Sequence, residues 1–512
     1  MRRKAVIAAV MVPLAVAGGV VWALRTQGSA EETAARYLDA WSKSDYAAMR
    51  TLVVNPPGDF ERWYKGFHDD LKLTSARFTP GAAREGEAGT TVDFRAELRG
   101  PVDFGYTGTL RLVERDHGWR VSFSPSAIHG DLKAGTRFKI TEVPAESAPI
   151  TAADGTRVDT PSAPGSVLQL VEGLKAEYGP RLKGKPSARV EIVKGGRPLK
   201  TVATGKAVSG SSIRTTIDLR VHQAGAAALE GVSKPASLVA LRPSTGEVLA
   251  VVNRPGGFNR ALLGKYPPGS TFKVVTASAL VAGGVAPDDT VECPPEQTIG
   301  GFAFHNAEFH DYGRLSFRDA FAHSCNTTFG SMSVDDLGGS RLAEVARSFG
   351  FGAPITPGVP AVRAEFPDPH DDTDLASAAI GQGRVLASPL NMATVAAAIA
   401  DGTWRQPRLV PPSLVPAGGA APRRLEPAVV SALRKLMPAV VSEGTASAVA
   451  FPPGTAGKTG TAEFGSGDEP PTHSWFIGYQ GDLAFAVIVE GGGTGAAVAA
   501  PIASRFLAGL SR

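Results

Sequence analysis

The chain has 512 residues, 43% hydrophobic and 20% charged, so it is not a disordered polymer and is too long for one ordinary core; several domains are expected. Its net charge of +4 is supplied by Arg2, Arg3, Lys4 and Arg25 alone. The rest is formally neutral, and nothing in the charge supports a nucleic-acid partner.

Residues 5–24 are uncharged and mostly apolar. A helix of that length covers about 30 Å, the thickness of a bilayer's hydrocarbon core. The three cations before it hold the start in the cytoplasm, so the remainder is expected to face outward. A cleaved signal peptide competes, but its apolar core is shorter, about 7–15 residues. The reading is a cytoplasmic tip and transmembrane anchor over 1–25, giving a single-pass cell-membrane protein with an extracytoplasmic body.

Residues 31–54 predict one or two amphipathic helices with Tyr37, Leu38 and Trp41 on one side, and 59–72 another short helix. Alternating strands follow at 90–98, 106–114 and 118–124. Helices followed by a curved sheet make an α+β domain over 26–132, expected to be a spacer with a filled interior. Residues 133–235 are polar and rich in Gly and Pro, with a helix expected at 164–179 and a strand near 188–196. They read as a linker and pedestal.

From 236 the pattern tightens. Residues 237–252 predict two strands joined at Ser244-Thr245-Gly246. Pro267-Pro268-Gly269 leads into a helical run at 270–284. Three strands are expected at 458–464, 473–480 and 482–492, then a helix at 496–510. Strands at both ends of 236–512 imply one sheet completed by distant segments.

Three short motifs punctuate this region: Ser270-Thr271-Phe272-Lys273, Ser324-Cys325-Asn326 and Lys458-Thr459-Gly460. Each alone reads as a cap, a turn or a strand end. In this order they are the S-x-x-K, S-x-N and K-T-G of the penicillin-interacting serine acyltransferases. Gly381-Gln382-Gly383 and residues 388–402 also match that family. The region 236–512 therefore resembles the transpeptidase domain of class B penicillin-binding proteins. Residues 26–132, ending in GWRVSFSPSAIHGDL, resemble the NTF2-like domain of the methicillin-resistance type. Residues 150–160 resemble the start of that family's pedestal but lack its usual Arg-Gly and Asp-Arg-Asn residues. The implied class is multidomain α+β: membrane anchor, NTF2-like cone, pedestal or dimerisation-like region, and a penicillin-recognising serine transpeptidase fold with a five-stranded antiparallel sheet and helices.

The residues carry matching chemistry. A serine hydroxyl needs a base within hydrogen-bond reach. Ser270 and Lys273, three apart on a helix, share one face. The apolar Val274 and Val275 suggest a buried lysine, and burial disfavours the ammonium. A neutral Lys273 could take the Ser270 proton, with Ser324 relaying it to the leaving amine. Asn326 could bond a substrate carbonyl and the lysine. Lys458 and Thr459 offer a charge and a hydroxyl to a substrate carboxylate. Gly460 would let substrate approach the strand backbone. The resemblance adds an oxyanion hole from the N–H groups of Ser270 and Thr461.

What the resemblance implies is a peptidoglycan D,D-transpeptidase acting on D-alanyl-D-alanine stem peptides of a lipid-linked precursor. It would be acylated by β-lactams, need no cofactor or metal, and could work beside a glycosyltransferase. A D,D-carboxypeptidase, a β-lactamase-like hydrolase, and a non-catalytic β-lactam sensor or division scaffold are the alternatives. Glu344, Glu365, Glu426 and Glu443 lie between the second and third motifs, and none sits in the E-x-x-L-N of class A β-lactamases.

Three features stay apart from this scheme. His305, Glu308, His310 and Asp311 match no standard zinc spacing and read as a polar loop beside the cleft. Asp368, Asp371, Asp372 and Asp374 lack the EF-hand pattern and read as a solvated loop. Cys293 and Cys325 either pair, which would contribute roughly 3 kcal/mol, or stay as buried thiols.

Overall fold

The computed structural model describes residues 28–86, 89–466 and 470–511. The expected anchor lies outside the described residues, among which no helix is long and apolar enough to cross a membrane. The chain forms two compact units.

The first unit is Met1–Ser147 with Lys183–Gly210. Helix α1 (Ala30–Ser42) opens on a capping box in which Ser29 Oγ accepts from Glu32 N–H at 3.1 Å and Glu32 accepts from Ser29 N–H. It is followed by α2 (Tyr46–Thr51) and α3 (Phe60–Asp70). Strands β1 (Ser75–Gly86), β2 (Gly89–Arg99), β3 (Phe104–Arg115) and β4 (Gly118–Ser122) make an antiparallel sheet in that order. Along β2 the side chains of Val92, Phe94, Ala96 and Leu98 turn inward at every second position. The interior is filled by rings: Trp41 stacks on Phe78 at 3.8 Å, and the Tyr37 and Tyr64 hydroxyls meet at 2.5 Å. Strand β1 escaped the sequence reading because most of its residues are exposed and carry no period-two apolar pattern.

Strands β5 (Thr136–Val143), β6 (Ser187–Lys194) and β7 (Arg197–Thr204) form a second sheet of the same unit. Phe138, Val190 and Ile192 enter the core that holds Trp41 and Phe94. The segment 133–235, expected as one linker and pedestal, is thus divided. Its strand pairings draw 183–210 into the first unit, while Ala148–Leu182 and the residues from Ser211 onward belong to the second.

The second unit is built on β8 (Ala236–Arg242), β9 (Glu247–Arg254), β10 (Ala456–Glu463), β11 (Thr472–Gln480) and β12 (Leu483–Val489). Their order is β9-β8-β12-β11-β10, antiparallel throughout, which is the expected sheet completed from both ends of the segment. Consecutive residues of β8 and β12 are buried, so helices cover both faces. The helices of this unit include, in chain order, α4 (Leu219–Ala228), α5 (Lys273–Ala282), α6 (Asn326–Met332), α7 (Pro389–Asp401), α8 (Pro427–Ser442) and α9 (Ala500–Leu510), of which α4, α7, α8 and α9 pack on the sheet. Helix α7 lies in the core with Ser388 as its N-cap, Pro389 in its first turn and Gly402 (φ +84°) at its end. Strand β10 is the sheet's edge, and the third motif lies on it.

Candidate active site

The first motif does not start an α-helix directly. Gly269–Phe272 form a 3₁₀ turn that runs into α5 at Lys273. In a 3₁₀ turn residues three apart eclipse one another, so Ser270 and Lys273 still share a side.

Glycines let the neighbouring backbone close on this turn. Gly269 has φ +53°, and a Cβ there would stand 2.5 Å from the Thr461 carbonyl oxygen on β10. Gly269 N–H donates to the Gly381 carbonyl at 2.9 Å, and a Cβ on Gly381 would meet the Gly269 carbonyl oxygen at 2.1 Å. Trp475 on β11 donates its indole N–H to the Pro267 carbonyl at 3.1 Å. Gly460 has a packing reason of its own. A Cβ there would lie 2.7 Å from Thr271 Cγ2 and 3.0 Å from the Pro268 carbonyl oxygen. The missing side chain admits the turn that carries Ser270.

Lys273 is fully buried, and its three hydrogen bonds all go to the second motif. Nζ donates to the Ser324 carbonyl at 2.6 Å, to Ser324 Oγ at 3.3 Å and to Asn326 Oδ1 at 2.6 Å; none goes to Ser270 Oγ. Burial, reinforced by the nearby Lys458 charge, holds the Lys273 pKa well below the usual lysine range. The backbone of Ser324 makes this contact possible. At φ +61° it is left-handed, and both its carbonyl and its hydroxyl reach Lys273.

Lys458 is also fully buried, and desolvation pushes its pKa down to about 7. Its Nζ donates to the Thr459 carbonyl at 3.2 Å and lies 5.6 Å from the centre of the Phe321 ring. Thr459 Oγ1 meets Thr445 Oγ1 at 2.6 Å, and Thr461 Oγ1 accepts from Gly495 N–H at 3.1 Å. The structure thus gathers Ser324 and Asn326 around the buried Lys273 amine, carries Ser270 on the turn that leads into Lys273, and sets Lys458 to Thr461 on the edge strand.

Asn306 was missed. It is 2% exposed, and its Oδ1 accepts from the N–H groups of Asn326 (2.8 Å) and Thr327 (3.3 Å). Its Nδ2 donates to the carbonyls of Pro294 (2.8 Å) and His310 (3.0 Å). One amide therefore ties the loop after His305 to the second motif. A lone Asn in a polar stretch gives no sign of this; only its burial does. Asn326 Nδ2 donates to the His305 carbonyl at 2.9 Å, which fixes the amide so that Oδ1 faces Lys273.

Cys293 and Cys325 are paired, with Cα atoms 6.1 Å apart and both residues buried. The second motif is therefore also held covalently. Of the residues weighed as a metal cluster, His305 stacks on Phe309, His310 stacks on Tyr312, and Asp311 accepts from Gly313 N–H. The acidic run is more than a solvated loop. Asp371 caps the helix Asp372–Ala379, and Asp374 pairs with Arg384, which lowers its pKa.

A hydroxyl in a tight turn, a buried amine whose pKa is lowered and a second hydroxyl bonded to that amine are the parts of serine acyl transfer. Comparison with known proteins agrees. Residues 236–508 match the penicillin binding protein transpeptidase domain family, and 29–136 match the NTF2-like N-terminal transpeptidase domain family. A peptidoglycan D,D-transpeptidase PbpA from Mycobacterium tuberculosis is 33% identical over 366 residues, 60% of this chain and 74% of the relative. Its counterpart from Mycolicibacterium smegmatis is 32% identical over 381 residues, 62% of this chain and 76% of the relative. Among solved structures, the penicillin G acyl-enzyme complex of penicillin-binding protein A from M. tuberculosis superposes with a TM-score of 0.59 and 27% identity, covering 72% of this chain and all of that one. The D,D-transpeptidase domain of a peptidoglycan glycosyltransferase from Eggerthella lenta gives 0.58 and 26%, covering 71% and 98%.

Proposed function

Since the chain belongs to the penicillin binding protein transpeptidase family, we propose that Ser270 is its nucleophile, Lys273 the general base and Ser324 the proton relay. The protein is a serine-type peptidoglycan D,D-transpeptidase that cross-links the cell wall and is acylated by β-lactams. The carrying observation is the buried Lys273, held against both Ser324 and Asn326 with its pKa well below the usual lysine range.

Ser270 Oγ attacks the carbonyl between the two terminal D-alanines of a stem peptide. Its proton passes to neutral Lys273 and on through Ser324 to the departing amine. The C–N bond breaks and an ester on Ser270 forms. The amine of a neighbouring stem then attacks this ester; a new C–N bond forms, the C–O bond to Ser270 breaks, and the proton lost by the amine returns by the same relay to Ser270 Oγ. In a free enzyme the catalytic hydrogen bonds are often long and tighten when substrate binds. The N–H groups of Ser270 and Thr461 receive the oxyanion, and losing one such donor costs about 3 kcal/mol in the transition state. Lys458 and Thr459 hold the substrate carboxylate, with Asn326 on the substrate amide.

The body acts outside the cytoplasmic membrane, held by residues 1–25. The Cys293–Cys325 bond supports an oxidising compartment. One structural neighbour, described as part of a peptidoglycan synthase complex that coordinates polymerization and crosslinking, matches with a TM-score of 0.63 and 25% identity over 73% of this chain, which supports a glycosyltransferase partner.

The test is exposure of the full chain to fluorescent penicillin, followed by peptide mapping. Wild type acquires one adduct on Ser270, and Ser270→Ala acquires none. A folded protein left unmodified, or labelled elsewhere, defeats the assignment.

A further inference from the structure

Beside the second motif the backbone is strained without an evident structural return. Glu308 and Phe309 are consecutive, neither is glycine, and both have φ +53°. Hydrogen bonds from Phe309 N–H to the Asn306 carbonyl (3.0 Å) and from His310 N–H to the Ala307 carbonyl (3.1 Å) hold them there, and the buried Asn306 amide anchors the loop. Yet the strain does not pack the ring away. Phe309 is 56% exposed and lies flat on the exposed imidazole of His305, with ring centres 4.3 Å apart. Such strain persists where the surroundings impose it, and it gathers at ligand sites.

Position gives this pair its meaning. The His305 carbonyl holds the amide of Asn326. At the other end of the motif, His323 immediately precedes Ser324 and stacks on Tyr312 at 4.6 Å. Ring-bearing residues, His305 through its carbonyl and His323 through the chain, therefore adjoin both ends of the Ser324–Asn326 segment. The departing amine of the first half-reaction and the incoming amine of the second occupy one place beside the relay hydroxyl, because the second half-reaction retraces the first. The chain that brings the incoming amine must therefore pass the residues flanking Ser324.

We propose that the exposed His305–Phe309 pair, continued by Tyr312 and His323, is the subsite for the acceptor stem and takes its amine-bearing side chain. The inference rests on the transpeptidase reading. Ring faces attract both methylene groups and an ammonium, so they suit a long aliphatic amine. The exposed Glu308 carboxylate, which has no ion-pair partner among the described residues, adds the opposite charge at the same loop. The ring pair thereby favours an acceptor amine over water as the group that resolves the ester.

Turnover of a thioester donor by the full chain, with Nα-acetyl-L-lysine amide as the acceptor probe, tests this. Phe309→Gly removes the ring and suits the left-handed backbone, so thermal unfolding should show a protein at least as stable as wild type. Its acceptor KM should rise at least five-fold while penicillin acylation of Ser270 changes less than two-fold. Phe309→Tyr should restore the acceptor KM. An acceptor KM unmoved in Phe309→Gly, or an acylation rate that falls in step with it, overturns the subsite alone. A wild-type protein that penicillin does not acylate overturns the parent reading, and this one with it.

Discussion

Lys273 Nζ stands 2.6 Å from Asn326 Oδ1, joining two residues 53 positions apart in the chain. The amide accepts from the amine without contributing a negative charge, so it orients the base while leaving it easy to deprotonate. Asn326→Asp keeps the shape and places a carboxylate at the same distance. An opposite charge favours the ammonium, so the Lys273 pKa rises. The penicillin acylation rate should fall about 100-fold near neutrality, and the ascending, acid-side limb of its pH profile should move up by about one pH unit or more. Stopped-flow acylation between pH 6 and 10 reads both. An unchanged limb would show that Lys273 does not act as the titrating base.

Lys458 gives the opposite dependence. Burial pushes its pKa down to about 7, so the free protein loses this positive charge as pH rises past neutrality. Affinity for a carboxylate-bearing β-lactam should decline above about pH 7, while a methyl ester of the same compound should show no such decline. Stability moves the other way. The folded pKa lies below the unfolded value of about 10.4, so between the two the unfolded chain binds more protons than the folded one. Stability therefore rises from about pH 7 toward 10, by at most about 1.4 kcal/mol per unit. Below about pH 7 the full desolvation penalty remains. Lys458→Met should flatten this slope in urea titrations at several pH values.

Gly460 tests how closely the edge strand meets the nucleophile turn. A Cβ there would come within 2.7 Å of Thr271 Cγ2 and 3.0 Å of the Pro268 carbonyl oxygen. Gly460→Ala should cost about 1–3 kcal/mol in stability, as overpacked sites do. It should also slow acylation, because the displaced turn carries Ser270. Thermal unfolding and acylation are measured together. A variant that loses activity at full stability would show that substrate approaches the strand here.

Asn306 should matter more than its loop position suggests. Asn306→Ala removes the acceptor for the N–H groups of Asn326 and Thr327. Leaving buried donors unpaired costs about 1–3 kcal/mol each. Asn306→Asp retains an acceptor for both, so its thermal unfolding should fall between wild type and the alanine variant. Equal stability of all three would remove Asn306 from the support of the second motif.

The chemistry was legible in the sequence because its signals are short-range. Ser270 and Lys273 need only three residues of spacing to share a side, and the alternation at 90–98 and the turn-bounded apolar runs at 237–252 specify strands within a few residues. The order of the three motifs then identified the family. Strand β1 was illegible because its exposed residues carry no alternation. Burial and long-range contact decided the rest. The Lys273 pKa is lowered by a surrounding that only the folded unit provides. The cysteine pairing, left open by spacing, was settled by a Cα separation of 6.1 Å. The division of 133–235 followed from strand pairings that link segments far apart. Gly460 exists for the packing of a turn that lies nearly two hundred residues earlier, and Asn306 for two N–H groups across a loop. Local periodicity writes the parts of the site into the chain, whereas desolvation and close approach arise only when distant segments meet.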